Sequence, residues 1–235
     1  MDLIYLFMNC KYQQIAEFLC QLTEDHLWNS TSFSDVIAFD RYKLKTRIGC
    51  GMATYCKFNP KENMFTINYG KKMIESKFNQ QQVKLWMTYR EVDSRHYYNR
   101  VTTLINILAH TVCHEFAHVI QQVTKSISKG SIHNAHFYSI LDKIHTSDES
   151  VIIRQKLEHF FLNNAISPEY EDKSLSTDNV FDVQIGTTAS FSHKKKVISG
   201  VVIKINKKTV QIKVKKFLTD TVWKVPKQCL DIHNK

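Results

Sequence analysis

The feature that most constrains this chain is the run His114-Glu115-Phe116-Ala117-His118. It lies within Val101 to Ile120, a stretch without Gly or Pro whose apolar residues recur at helical spacing, so a buried helix is predicted over about 100–123. At 3.6 residues per turn, positions i and i+4 share a face, and His114 and His118 project their imidazoles side by side. Zinc favours tetrahedral nitrogen ligation and in catalytic sites keeps one position for water. Glu115, adjacent to the first imidazole, is placed to take a proton from such a water as general base. A zinc-dependent hydrolase is the leading expectation, with Zn2+ over other divalent ions on ligand type alone.

Two histidines do not complete the site, and the third ligand separates the possibilities. A metzincin would carry Gly three residues and His six residues after His118, but those positions are Gln121 and Thr124. A later helix could offer Glu149 or Glu158, though nothing in the local sequence distinguishes either from a solvated helix charge. His133 follows His118 by fifteen residues and precedes a turn into a short helix, with His136 competing on spacing. His110, one turn before His114, cannot join a tetrahedron built on the same helix face and is expected to support the site or pack in the core. Cys113 points to another face of the helix, as packing. His96, Tyr97 and Tyr98 are polar-stretch candidates for substrate contact, weighed against plain loop residues.

The order His114-Glu-x-x-His118, then His133-x-x-x-Phe137 opening a helix, resembles the SprT-like metalloproteases, a family with members in the repair of DNA–protein crosslinks. That resemblance implies His114, His118 and His133 as zinc ligands, Glu115 as the catalytic base, and protein as substrate, particularly protein bound or crosslinked to DNA. Asn134 replaces the glycine usual after the third ligand, and Asn tolerates the left-handed backbone that a glycine there would supply. Thr46 to Tyr55 and Met64 to Asn68 are similar to the strand pair of the family, with Asn59 to Asn63 as turn chemistry for a hairpin. The resemblance covers roughly residues 10–145. The family often adds a zinc ribbon, which six cysteines without any CxxC pair exclude here. They read instead as free thiols of a reducing compartment.

The 235 residues, 43% of them hydrophobic, allow one ordinary domain and a small second one. Helices are expected near 10–28, 70–87, 136–145 and 149–162, with Ile15, Phe18, Leu19 and Leu22 on one face of the first, and strands at about 36–48 and 64–68. Residues 1–162 form the protease domain in this reading, and 163–179 a linker. Leu3 to Met8 is too short to span a membrane and follows no basic leader, so neither an anchor nor a secretion signal is expected, and the protein is placed inside the cell, in the cytoplasm or with nuclear or nucleoid DNA.

Residues 180–235 differ in pattern and charge. Gly186 to Phe191, Lys196 to Ile205, Thr209 to Val214 and Thr221 to Pro226 are β-branched runs with alternation, and Asn206-Lys-Lys supplies a tight turn. They resemble a small SH3-like barrel of KOW or Tudor type, so the fold class expected is α+β: a helical zincin-like SprT-type domain with a small sheet, then a β-barrel. Trp223 is a stacking or core candidate. This segment holds twelve Lys against three Asp, a net of +9, whereas residues 1–179 hold twenty basic and nineteen acidic side chains. Lys194, Lys195, Lys196, Lys207, Lys208, Lys213, Lys215 and Lys216 are the candidate phosphate contacts for DNA recruitment. Two rival readings remain open: a metallopeptidase of soluble proteins whose barrel binds a protein partner, and a nucleic-acid-binding protein with a structural zinc. An intact Glu115 argues against the second, since a structural site has no use for a base.

Overall fold

A computed structural model describes residues 3–35, 37, 40–124, 131–171, 184–193, 196–206, 209–215, 220–226 and 230–232. The fold is mixed α+β with two sheets. The chain divides into two compact units, Met1–Asp172 and Lys173–Lys235.

The first unit is organised around one helix, α5 (Leu104–Val123). Thr103 caps its start by accepting from the Asn106 amide, and the Asn106 side chain donates to the Val101 carbonyl at 2.7 Å, which fixes the entry of the chain. Apolar residues on nearly every face make it a central helix buried on all sides, and the polar groups it carries are buried with it. Against it pack α1 (Leu3–Thr23), α6 (Ala135–Thr146), α7 (Asp148–Asn163) and a three-stranded sheet. Ile15, Leu19 and Leu22 of α1 face the core as their spacing predicts, and Phe18 stacks on Phe160 at 4.2 Å.

The sheet has the order β1 (Lys43–Gly49), β3 (Met64–Gly70), β2 (Tyr55–Asn59), with β1 parallel and β2 antiparallel to β3. The hairpin turn expected at Asn59–Asn63 joins β2 to β3: the Asn59 side chain accepts from the Lys61 amide, and Asn63 takes the left-handed backbone, φ 48°. Gly70 is required at the end of β3, since a Cβ there would lie 2.5 Å from the Gly51 carbonyl oxygen. That close approach holds the 50–54 loop, and hence β2, beside α5.

The single helix expected over 70–87 is instead three short ones: α2 (Lys71–Phe78), α3 (Gln80–Val83) and α4 (Met87–Ser94). The break has a local cause. Asn79 takes an extended backbone and its side chain accepts from the Gln81 and Gln82 amides, ending one helix and capping the next. The expected linker is also corrected in part. Residues 163–171 lie on the first unit: Ile166 is buried, the Glu171 amide donates to the Phe78 carbonyl at 2.7 Å, Lys11 pairs with Glu171, and the Tyr170 hydroxyl reaches the Thr102 carbonyl. Residues 172–179 lie outside the described residues.

The second unit is a sheet of order β7 (Thr221–Pro226), β6 (Thr209–Val214), β5 (Lys196–Ile205), β4 (Thr188–His193), β8 (Asp231–Ile232), all antiparallel. The four longer strands fall where β-branched alternation predicts them. Ala189, Phe191, Val202, Val210, Ile212, Val225 and Leu230 form its own core, and Trp223 packs partly buried against Phe191 at 5.4 Å, a core role in place of a free stacking surface. A register shift between Val202 and Lys204 marks a bulge in β5.

Candidate metal centre

Helix α5 presents His114 and His118 from one face, as the four-residue spacing requires, and the loop before α6 brings His133 to them. The Nε2 atoms of His118 and His133 lie 3.1 Å apart, and those of His133 and His114 3.2 Å apart. Around a tetrahedral zinc with Zn–N near 2.0–2.1 Å, ligand nitrogens are separated by about 3.3 Å. Two of the three separations match that figure, and all three ligand atoms lie within 4.8 Å of one another, so the cluster could hold one metal ion.

The opposite ring nitrogens show what each imidazole offers at Nε2. His114 Nδ1 lies 2.8 Å from Glu91 Oε2. A carboxylate only accepts, so Nδ1 carries the proton and Nε2 presents its lone pair. His118 Nδ1 donates to Gln121 Oε1 at 3.3 Å, with the same result. Gln121 also donates from Nε2 to the Ile132 carbonyl at 2.7 Å, tying the His133 loop to the helix of His118. Lone pairs converging on one point repel each other, and a cation is the group that makes the arrangement favourable.

Phe137 packs against all three imidazoles, with ring centroids 5.0, 4.8 and 4.4 Å from His114, His133 and His118. It reaches them because Asn134 starts α6, its side chain accepting from the Phe137 amide at 3.0 Å. Asn134 has φ −96°, an extended backbone in place of the left-handed one anticipated for it. Here Asn serves as an N-cap, and glycine's conformational freedom is not needed.

Glu115 is buried beside this cluster, and its Oε2 has no hydrogen-bond partner among the described residues. Burial raises its pKa to about 7, against the pull of His114 and Lys77. Burial likewise pushes His118 down to about 3 and lowers His133, so both are neutral and suited to ligation near pH 7.

The other candidates are placed elsewhere. His136 is exposed and its Nε2 faces the Thr124 hydroxyl at 3.1 Å. Glu149 accepts from the Ser30 and Ser32 hydroxyls, and Glu158 pairs with Arg154 one turn away. Cys113 is buried in the core. Tyr97 is buried and stacks on His145 at 3.8 Å, while Tyr98 meets the same ring edge-on, so both wall the interior behind the site; His96 is exposed and starts a turn with left-handed backbone. His133→Ala is therefore expected to lose metal at micromolar chelator while His136→Ala retains it, as read by zinc content after dialysis. Retention by His133→Ala would remove this ligand set.

Two groups escaped the sequence reading. Glu91, on the unforeseen helix α4, lies between His110 and His114 and is held well below the ordinary carboxylate range, the hydrogen bonds from both histidines outweighing the opposing effect of burial. Lys77 is 1% exposed and donates to the hydroxyls of Thr88 and Thr111, the latter one turn before Glu115. Polar residues on short helices carry no periodic signal that would have marked either.

Of the lysines proposed for nucleic acid, Lys194, Lys195, Lys207, Lys208 and Lys216 lie outside the described residues, as does the side chain of Lys196. Lys215 is exposed, and Lys213 pairs with Asp220 at 2.7 Å. The free thiols Cys20, Cys50, Cys56 and Cys113 form no disulfide among the described residues. No helix among the described residues is long and apolar enough to cross a membrane. Comparison with protein-family models, with curated proteins and with solved structures finds no match to this chain.

Proposed function

We propose that this chain is a zinc metalloendopeptidase of SprT-like type that cleaves proteins bound or crosslinked to DNA, with its basic second unit recruiting nucleic acid. One observation carries the reading: three histidine Nε2 atoms within 3.2 Å of a neighbour, beside a buried glutamate whose Oε2 is otherwise unpartnered. A structural zinc would need a fourth protein ligand in place of an adjacent base.

His114, His118 and His133 would hold the metal, and bound there it would supply Lewis acidity toward a water and a peptide carbonyl. The rest belongs to the chain. Glu115 Oε2 accepts the proton of the attacking water and delivers it to the leaving amine nitrogen. Glu91 and Gln121 hold the His114 and His118 rings in the orientation that ligation needs, and Phe137 excludes bulk water from one side.

The recruitment half rests on charge and topology. The order β7-β6-β5-β4-β8 puts a short last strand beside the first, as in an SH3-like barrel, and residues 180–235 carry a net charge of +9. A protein neutralising six or more phosphates would lose about 1,000-fold in affinity between 50 and 200 mM salt. The test follows cleavage of a DNA-binding protein by the zinc-loaded chain, with and without DNA, as salt is raised. Cleavage that DNA stimulates and salt suppresses is expected. Cleavage indifferent to both would give the substrate as soluble protein and the second unit as a protein-binding module.

A further inference from the structure

The support behind His114 extends well beyond one carboxylate. Glu91 Oε2 faces His114 Nδ1 at 2.8 Å and His110 Nε2 at 3.0 Å, and its Oε1 accepts from the Tyr138 hydroxyl at 3.2 Å. His110 Nδ1 in turn meets His145 Nε2 at 2.8 Å. His145 stacks on Tyr97, which is anchored through its hydroxyl to Asp142 at 2.5 Å and by Arg95 at 2.9 Å.

Proton counting along this chain leaves a single arrangement. An ionised carboxylate donates nothing, so both nitrogens facing Glu91 carry protons. His110 is completely buried and shares one Glu91 oxygen with His114, so it is neutral with its single proton at Nε2, and its Nδ1 is an acceptor. His145 must then donate from Nε2. Every proton points toward Glu91, and hydrogen bonds aligned in series polarise one another.

We propose that His110 and His145 are positioning residues that act through Glu91, fixing His114 as its Nδ1–H tautomer with the Nε2 lone pair directed at His118 and His133. This rests on the metal-site reading above. The competing description is a second ion held by Glu91, His110 and His114, whose ligand atoms lie within 4.8 Å of one another. That description takes the Nδ1 lone pair of His114 as well as its Nε2 lone pair, which requires an imidazolate bridging two cations. The hydrogen-bonded chain satisfies each of these atoms with no ion.

The test has two readouts apart from proteolysis. Long-range 1H–15N spectra of the metal-free protein should show His114 protonated at Nδ1, and His110 and His145 at Nε2. Zinc affinity, measured by competition with a chromophoric chelator, should fall about 10- to 100-fold in His110→Phe. His110→Gln, which keeps an amide N–H near the Nε2 position, should recover most of that loss. His145→Phe should lose less than His110→Phe, since one intervening bond remains. Unchanged zinc affinity in folded His110→Phe, the opposite tautomers, or two zinc ions per wild-type chain would each overturn the proposal. If His110→Phe does not fold, the wild-type spectrum and His110→Gln still decide. A wild-type protein that binds zinc with these tautomers yet cleaves nothing would remove the protease reading and leave the positioning role intact.

Discussion

Glu115→Gln should keep the fold and the zinc but lower peptide-bond hydrolysis by about 1,000-fold. The amide occupies the same space, and His114, His118 and His133 retain their lone pairs, so ligation is unaffected. What is lost is the acceptor at Oε2, a buried side-chain oxygen without a hydrogen-bond partner among the described residues. General bases contribute about 10²- to 10⁴-fold, and a loss in the middle of that range is expected for a buried base beside the three histidines. Stability should be unchanged or slightly higher, because a buried carboxylate is exchanged for a neutral group. The measurement is kcat on an unstructured peptide substrate beside zinc content and Tm. Activity within tenfold of wild type, at full zinc content, would mean that another group takes the proton.

The parts of this fold that could be read in advance are those where one residue type has one physical use. An HExxH run without Gly or Pro sets a helix and two imidazoles on one face, and both appear. His133 and Phe137 do lie against His114 and His118, and Asn134 between them caps α6 from an extended backbone and not the left-handed one expected there. Alternating Val and Ile after residue 186 placed β4 to β7. What could not be read depends on contacts distant in sequence. Glu91 reaches His114 across 23 residues, and its helix was hidden because Asn79 and Trp86 interrupt an otherwise helix-compatible run. Residues 163–171 have the composition of a linker, yet Glu171 and Tyr170 bond to residues 11, 78 and 102. Composition reports what a segment can do alone, and these segments are held by what they meet.

Lys77→Met is expected to stabilise the metal-free protein at pH 7, by about 1–4 kcal/mol. The ammonium is buried in the interior, held by the hydroxyls of Thr88 and Thr111, and pairs with no carboxylate among the described residues. Desolvation lowers its pKa from 10.5 to about 7, against the pull of Glu115 and Glu91. Unfolded chains therefore bind the proton more tightly, and between about pH 7 and 10.5 the unfolded state carries more of it. Stability contributed by this group rises with pH across that window, and the penalty is fully present below pH 7. At about 1.4 kcal/mol per pH unit the whole window is worth about 5 kcal/mol. Methionine has nearly the same length and no charge; both hydroxyls lose the Lys77 donor, but Thr111 keeps its bond to the Ile107 carbonyl at 2.7 Å. That loss accounts for the smaller net gain. Urea unfolding of both proteins in chelator, from pH 6 to 10, gives the comparison without metal linkage. The two curves should be furthest apart at or below pH 7 and converge as pH rises. A variant less stable than wild type at pH 7, with parallel pH dependences, would show that the ammonium is stabilised where it lies and that Thr88 and Thr111 suffice to hold a charge in this core.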